Sequence, residues 1–155
     1  MHSIILPVHH RQQREPGECL AACALMLLDF IRVSVAYDRL LKLLEVDRGV
    51  GTPSYKIRNL TKLNISVTYE QGTLNHLHQH LLQGRPCIAF VKTADLPHWD
   101  ANVDHAVVVV GMDDDYIYLH DPEFEIAPLL TPIGDFDLAW LARGELYAVL
   151  TLPLR

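Results

Sequence analysis

Cys19 is the residue of this sequence whose position best suits nucleophilic chemistry. It follows Pro16 and Gly17 and opens a long run of alanine, leucine and methionine, which places it in the first turn of a predicted helix. Free backbone amides and the helix dipole favour an anion there, so they lower the pKa of a thiol. We interpret Cys19 as a thiolate nucleophile; the alternative is a buried structural cysteine.

The other two cysteines have contexts typical of a protein core. Cys23 lies one helical turn further along the same apolar run, and Cys87 lies within a strand-like segment. Three cysteines cannot all pair within one chain, and 155 residues with 50% hydrophobic side chains can build a core without disulfides. We therefore expect free thiols and a reducing, cytoplasmic location.

His105 is placed to serve as the proton-transfer partner that a thiolate needs. It begins the strongest strand pattern of the sequence, DHAVVVVG, and the end of a strand can hold an imidazole rigidly. The next strand pattern ends at Asp121, which the register of a hairpin could bring beside His105 to orient its ring. If His105 is only structural, Asp121 before Pro122 is a plain turn former.

Gln13 is the candidate for stabilising the oxyanion that forms when a thiolate attacks a carbonyl. It precedes Cys19 by six positions, and a side-chain amide there can donate a hydrogen bond to the developing charge. A lone surface glutamine carries no functional signal, so this prediction depends on the other candidate residues.

Helical patterns dominate the first half of the chain. Within the segment 18–32, apolar side chains occur on nearly every side of the predicted helix, so we expect this helix to be buried in the core. Segments 37–45 and 53–63 also have apolar residues at helical spacing, as do the leucines at 74, 77 and 81 before Gly84. The first half is therefore predicted to be mainly helical, with one short strand at 65–69.

Short runs rich in β-branched and aromatic residues characterise the second half. Strands are predicted at residues 86–91, 106–111, 116–119 and 146–152, with a helical stretch containing Phe136 and Trp140 before the last strand. The run 112–115, a methionine followed by three aspartates, is a turn signal, so residues 106–119 are expected to form a β-hairpin. Helices followed by a mostly antiparallel sheet predict an α+β fold, in a single domain spanning residues 1–155.

Charge and hydropathy argue against two classes of partner. The formal charge of −6 provides no basic field for phosphate backbones, so nucleic acid is not an expected partner. The longest apolar run, 20–28, is far shorter than the ~20 residues that span a bilayer, and the N-terminus does not resemble a secretory signal. We expect a soluble protein without a membrane segment, and the oligomeric state stays open.

Four segments together match a known pattern. Gln13, then GECLAAC around Cys19, then DHAVVVVG from Asp104, then HDP around Asp121, resemble the papain-like cysteine peptidases, especially the bacteriocin-processing family that cleaves double-glycine leader peptides. The resemblance extends from about Gln12 to the C-terminus. The family usually has Asp-Cys-Gly where this chain has Glu-Cys-Leu, a difference that leaves the thiol in place and concerns the substrate.

The resemblance implies a papain-like fold and a cysteine peptidase that acts on a peptide or protein, such as a leader or precursor peptide. In that family the residues matching Cys19, His105 and Asp121 form the catalytic triad, and the residue matching Gln13 holds the oxyanion. The mechanism it implies needs no metal or cofactor. Such peptidases are often fused to an ABC transporter, whereas this sequence resembles a free-standing relative.

Three alternatives accompany the peptidase prediction. The same thioester could be resolved by an amine, giving acyl or aminoacyl transfer, or the groove could bind peptides without cutting them. His76 and His80 lie four residues apart, a spacing at which two histidines on one helical face could bind a zinc ion. Because a third ligand cannot be named, we expect these histidines to lie on a solvated polar face, with His78 partly buried, and no metal to bind.

Overall fold

The computed structural model describes residues 2–153. Within this range there are four α-helices: α1 (Cys19–Phe30), α2 (Tyr37–Leu43), α3 (Leu74–Leu82) and α4 (Ile133–Leu141). Two 3-10 helices cover Ser54–Leu63 and Thr93–Asp95. The strands are β1 (Ile4–Ile5), β2 (Ser66–Gln71), β3 (Cys87–Lys92), β4 (Asp104–Met112), β5 (Tyr116–His120), β6 (Leu129–Pro132) and β7 (Leu146–Thr151).

All seven strands join one sheet in the order β2-β7-β3-β4-β5-β6, and β1 pairs with β4 outside this path. Every named strand pairing within residues 2–153 is antiparallel. The α+β fold predicted from the sequence is therefore confirmed. The sheet is not confined to the second half of the chain, since β2 pairs with β7 at one edge.

The helix α1 is the centre of the core. It packs against β4, α2 and β3, and most of its side chains are fully buried, because alanine, leucine and methionine occur all round it. This burial fixes the direction of its first turn relative to the sheet. The position of Cys19 is thus determined by a helix that cannot rotate without exposing apolar surface.

The β4–β5 hairpin forms as the sequence predicts. The turn lies at residues 113–115, where the Asp113 carboxylate accepts hydrogen bonds from the backbone N–H groups of Asp115 and Tyr116. The short strand β1, which the sequence analysis did not predict, lies close over β4. A Cβ on Gly111 would come within 2.8 Å of the carbonyl oxygen of Ile4, so glycine is needed at this approach.

The strand β6 was also not predicted. It pairs with β5 at the edge of the sheet, and its alternation of half-buried, exposed and buried residues follows the pleat. The segment 53–63 is helical as expected but adopts the tighter 3-10 form. Among the described residues, no helix combines the length and apolar character needed to cross a membrane.

Candidate active site

The N-terminus of α1 presents free backbone amides beside the Cys19 thiol. The preceding residue, Glu18, makes no side-chain cap to the helix; its carboxylate accepts a 3.0 Å hydrogen bond from the hydroxyl of Tyr37. The first helical bond runs from Ala22 N–H to the Glu18 carbonyl, so the amides ahead of it have no acceptor within the helix. These donors can stabilise a thiolate or an oxyanion at this position.

The turn before Cys19 is held by a close packing of two loops. Gly17 has a φ of +84°, and a Cβ at this position would lie 2.7 Å from the backbone nitrogen of Gly51. The second loop closes on itself through paired backbone hydrogen bonds between Asp47 and Gly51. Glycine at position 17 therefore lets this loop lie directly beside the start of α1.

His105 lies on β4, between β3 and β5, and is only 5% exposed. Its Nε2 lies 2.7 Å from Oδ1 of Asp121, and because a carboxylate can only accept, the ring nitrogen is the donor. The ring also hydrogen bonds with the Cys19 side chain. Since Nε2 is bonded to Asp121, Nδ1 is the nitrogen that faces Cys19. The structure thus brings the three candidates into one row.

The hairpin places Asp121 diagonally across from His105. Val108 is paired with His120, so Asp121 follows the last paired residue of β5 and points to the same face as His105. Asp121 is fully buried, and its carboxylate is held on both oxygens. The backbone N–H of Glu123 donates to Oδ1 at 3.0 Å, in addition to His105.

Two side chains from the loop between β3 and β4 bind the other carboxylate oxygen of Asp121. His98 Nε2 lies 2.9 Å from Oδ2, and Trp99 Nε1 donates to the same oxygen at 2.8 Å. The Trp99 ring also packs edge-on against His105, with ring centroids 4.8 Å apart. Neither residue is among the candidates of the sequence analysis, yet Trp99 lines the cleft and contacts both His105 and Asp121.

The electrostatics of the row favour a thiolate next to an imidazolium. Burial acts to raise the pKa of Cys19, but the hydrogen bond and charge of His105, with the backbone amides of Ala106 and Leu20, bring it below its ordinary value. Burial acts to lower the pKa of His105, yet the bonds to Asp121 and Cys19 raise it to about 9. A proton shared by this pair therefore resides preferentially on His105.

The carboxylate of Asp121 stays charged despite its burial. Desolvation alone would raise its pKa, but the hydrogen bonds from His105, His98 and Trp99 hold the pKa well below the usual range. By contrast, burial raises the pKa values of Cys23 and Cys87, so both remain neutral thiols in the core. Cys19 is the cysteine whose surroundings favour ionisation.

Gln13 lines the same cleft as Cys19. Its backbone N–H donates to the carbonyl of Pro122 at 2.7 Å, which ties the segment before α1 to the residue after Asp121. The side-chain nitrogen donates to the carbonyl of Glu15 at 3.1 Å. An amide nitrogen carries two N–H groups, so one donor remains for an oxyanion.

The cleft has a volume of about 640 Å³, comparable to sites that enclose drug-sized ligands. It is formed by the segment before α1, the loop around Gly51, the region of β3 and β4, and Arg143 after α4. Val50 at the tip of its loop is 77% exposed, and Val103 is 43% exposed. An extended peptide segment could lie against this partly apolar surface.

The histidines of α3 lie away from this cleft and have other partners. His76 Nδ1 accepts a bond from the backbone N–H of Thr73 in a capping box. His80 lies between the Tyr147 hydroxyl and the Arg85 guanidinium, so the expectation of a solvated face is wrong for His80. His78 is buried, with its Nε2 2.6 Å from the carbonyl oxygen of His2. Across residues 2–153, no three His, Cys, Asp or Glu side chains are arranged to hold a metal ion.

Comparison with solved structures shows that the fold recurs at low sequence identity. A structure described as a C39-like peptidase from Bacillus anthracis has a TM-score of 0.82 and 16% identity, covering 100% of both chains. The peptidase domain of Streptococcus ComA, a bi-functional ABC transporter, has a TM-score of 0.71 and 15% identity over 98% of this chain and 100% of that domain.

A third structure is that of a double-glycine-motif protease from an AMS/PCAT transporter, in complex with the leader peptide. Its TM-score is 0.70 at 16% identity, covering 99% of this chain and 100% of the other. A search of curated proteins found no match to the sequence.

An α+β fold in which a helix N-terminal cysteine faces a histidine on a central strand defines the class of papain-like cysteine peptidases. The sequence profile of the Peptidase C39 family matches residues 8–143, most of the chain. The chain belongs to the Peptidase C39 family, and the resemblance noted from its motifs is confirmed.

Proposed function

We propose that this peptidase cleaves peptide bonds through Cys19, His105 and Asp121, with Gln13 as an oxyanion donor. The observation that carries the proposal is the row of three side chains, in which the pKa of Cys19 is lowered and that of His105 is raised to about 9. Both shifts favour the thiolate–imidazolium pair, which is the reactive form of a cysteine peptidase.

In the first half-reaction, Cys19 Sγ attacks the carbonyl carbon of the scissile bond. The backbone N–H of Cys19 and the Gln13 side-chain amide stabilise the oxyanion. The imidazolium of His105 gives its proton to the leaving amine as the C–N bond breaks, which leaves a thioester on Cys19. Asp121 keeps the ring oriented and stabilises its positive charge.

In the second half-reaction, His105 removes a proton from water, which attacks the thioester carbonyl. The C–S bond breaks and releases the acid product and the Cys19 thiolate, while the proton taken from water stays on His105, which restores the ion pair. Each step uses groups of this chain and water alone.

The proposed substrate is a leader or precursor peptide that lies extended in the cleft. The cleft volume of about 640 Å³ and its exposed apolar loop residues support this proposal. A fold relative was solved with its leader peptide, which supports the same class of substrate.

Incubation of the purified protein with a proteome-derived peptide library, read by mass spectrometry, tests the proposal. New peptide termini are expected with the wild type and not with Cys19→Ala. Products of increased mass, appearing when amines are added, would indicate acyl transfer instead. A wild type that retains peptides but generates neither product would be a binding module, and the proposal would be wrong.

A further inference from the structure

Arg143 is a half-buried cation in the cleft, just after α4. Its side chain is 21% exposed, and Arg143 lines the cleft together with Cys19 and His105. The guanidinium lies beside the Phe90 ring, with Cζ 5.7 Å from the ring centroid. Packing on an aromatic face limits the orientations that the side chain can adopt.

The polar contacts of Arg143 within residues 2–153 leave most of its donors unused. Nη1 reaches the backbone carbonyl of His105 at 3.5 Å, the outer limit of a hydrogen bond, and Nε lies 3.9 Å from Asp104 Oδ1. A guanidinium carries five N–H donors in a fixed fork. A partly desolvated cation with unused donors favours an anionic ligand that can accept them in pairs.

Asp104 does not neutralise the charge of this guanidinium. Its carboxylate is 60% exposed, and its shorter ion pair is with Lys92 Nζ at 2.9 Å. The bond from Lys92 is the main cause that lowers the pKa of Asp104, with Arg143 contributing less. The charges of Lys92, Asp104 and Arg143 together leave one positive charge beside His105.

The remaining acidic residues of the cleft are Asp47 and Glu123, and both are exposed to solvent. Water screens an exposed charge more strongly than a half-buried one. Among the Arg, Lys, Asp and Glu side chains that line the cleft, the least screened charge is therefore the guanidinium of Arg143.

We propose that Arg143 is a specificity-determining residue that binds a carboxylate of the peptide, so that substrates carry Asp or Glu within a few residues of the scissile bond. This inference rests on the proposed peptidase function of the same cleft. The guanidinium contacts the backbone of His105, the residue that protonates the leaving group, and one extended residue spans about 3.5 Å. A planar carboxylate matches the fork of the guanidinium in a bidentate arrangement.

The test compares acidic preference in two assays on the same random decapeptide library. In the first, wild-type protein cleaves the library, and mass spectrometry maps residue frequencies on both sides of each new terminus. In the second, immobilised Cys19→Ala and Cys19→Ala/Arg143→Gln proteins retain peptides, which are eluted and sequenced. The second assay reports binding whether or not any peptide is cut.

Asp and Glu are expected to be enriched at one position near the cleavage site. For a peptide cleaved there, the ratio of kcat/KM between the Glu and Gln versions should be about 10-fold or more, and Arg143→Gln should bring it close to one. Arg143→Lys keeps the charge and should retain part of the preference. Arg39→Gln, on an exposed part of α2, is the matched control and should change nothing.

Two outcomes separate this inference from the proposed function. The role of Arg143 is overturned, and the proposed peptidase function is not, if cleavage shows no enrichment of Asp or Glu. The same holds if the enrichment persists in an Arg143→Gln variant that melts at the wild-type temperature. A different result would support the role of Arg143 and overturn the peptidase proposal. In that case Cys19→Ala retains acidic peptides, Cys19→Ala/Arg143→Gln does not, and the wild type cleaves no peptide.

Discussion

His98 and Asp121 are joined by a 2.9 Å contact between the ring Nε2 and Oδ2, the carboxylate oxygen that does not contact His105. The carboxylate therefore lies between two imidazoles, that of His98, which is 16% exposed, and that of His105, which is 5% exposed. With donors on both of its oxygens, Asp121 cannot turn away from His105 without breaking several charge-assisted hydrogen bonds.

We predict that His98→Gln lowers kcat by about 3- to 10-fold with little change in KM, because the loss of one charge-assisted bond to Asp121 loosens the orientation of His105. Trp99→Phe keeps an aromatic ring against His105 but removes the N–H that binds the same oxygen, so it is the matched variant. The double variant should lose more activity than either single one. A kcat unchanged in all three would mean that Oδ2 contributes nothing to catalysis.

The pH dependence of kcat/KM is expected to be bell-shaped. Activity rises as Cys19 loses its proton and falls as the imidazolium of His105 deprotonates, at a pKa of about 9. Asp121→Asn keeps the shape of the side chain but removes the charge that raises the pKa of His105. The upper limb should therefore move to lower pH, with activity reduced but measurable.

Initial rates from pH 5 to 10 on wild type and Asp121→Asn check this prediction. Asp38→Asn, an exposed acid on α2, serves as the control and should leave the upper limb in place. If the alkaline fall of kcat/KM occurred at the same pH in Asp121→Asn as in the wild type, Asp121 would not set the protonation of His105.

Much of the fold and of the candidate site could be predicted because the signals are local. The periodicity around Cys19 specifies a buried helix and its start, and the run of valines after His105 specifies a strand. The turn at residues 113–115 closes the hairpin, and a β-bulge between Val109 and Gly111 then shifts its register by one residue, which puts Asp121 on the same face as His105. Cys19 and His105 lie on regular elements, so their positions follow from the sequence pattern, whereas no local pattern indicates the bulge that brings Asp121 to the face of His105.

The contacts that the sequence could not reveal are made by irregular segments. His98 and Trp99 lie in a loop whose path is set by the carboxylate that they bind, and no periodic pattern indicates that partner. Arg143 follows α4 at a position typical of a surface cation. The two-residue strand β1 is too short to leave an alternating pattern, and it is positioned by pairing with β4.

Cys19 is predicted to react with iodoacetamide faster than the other two cysteines at pH 7. Its pKa is lowered by His105 and backbone amides, whereas burial raises the pKa of Cys23 and Cys87. Mass-spectrometric mapping of the folded protein after brief labelling measures the order. In His105→Ala the labelling of Cys19 should slow, because the thiol loses its proton acceptor. Earlier labelling of Cys23 or Cys87 would contradict the assignment of the nucleophile.

Gly17→Ala is predicted to destabilise the protein by at least about 2 kcal/mol. Two causes add: alanine is strained at a φ of +84°, and its Cβ would lie 2.7 Å from the backbone of Gly51. Chemical denaturation of two controls separates these causes. Gly49→Ala has a φ of +75° with nothing within 4 Å and isolates the strain.

Gly134→Ala, in α4 and also without a neighbour within 4 Å, should stabilise the protein by up to about 1 kcal/mol. If Gly17→Ala lost no more stability than Gly49→Ala, the two loops beside Cys19 would not be closely packed in solution.

The last prediction separates bond-making residues from those that assist them. Cys19→Ala and His105→Ala should each abolish turnover while peptide binding persists, because they remove the nucleophile and the proton shuttle. Gln13→Ala should lower kcat by roughly 10- to 1000-fold with a smaller effect on KM, since one oxyanion donor is lost and the backbone N–H of Cys19 remains. Gln12→Ala changes the neighbouring glutamine, whose side chain donates to the Glu123 carbonyl at 3.1 Å, and should leave kcat within about 2-fold of wild type.

Gln13→Glu refines this comparison because it keeps the length of the side chain and replaces the N–H donor by a negative charge. Repulsion between this carboxylate and the oxyanion should make Gln13→Glu slower than Gln13→Ala at pH 7. Steady-state kinetics on one peptide substrate, with thermal melts to exclude unfolding, measure the ranking. Equal rates for Gln13→Ala, Gln13→Glu and Gln12→Ala would remove Gln13 from the oxyanion site and leave the α1 amides to hold that charge alone.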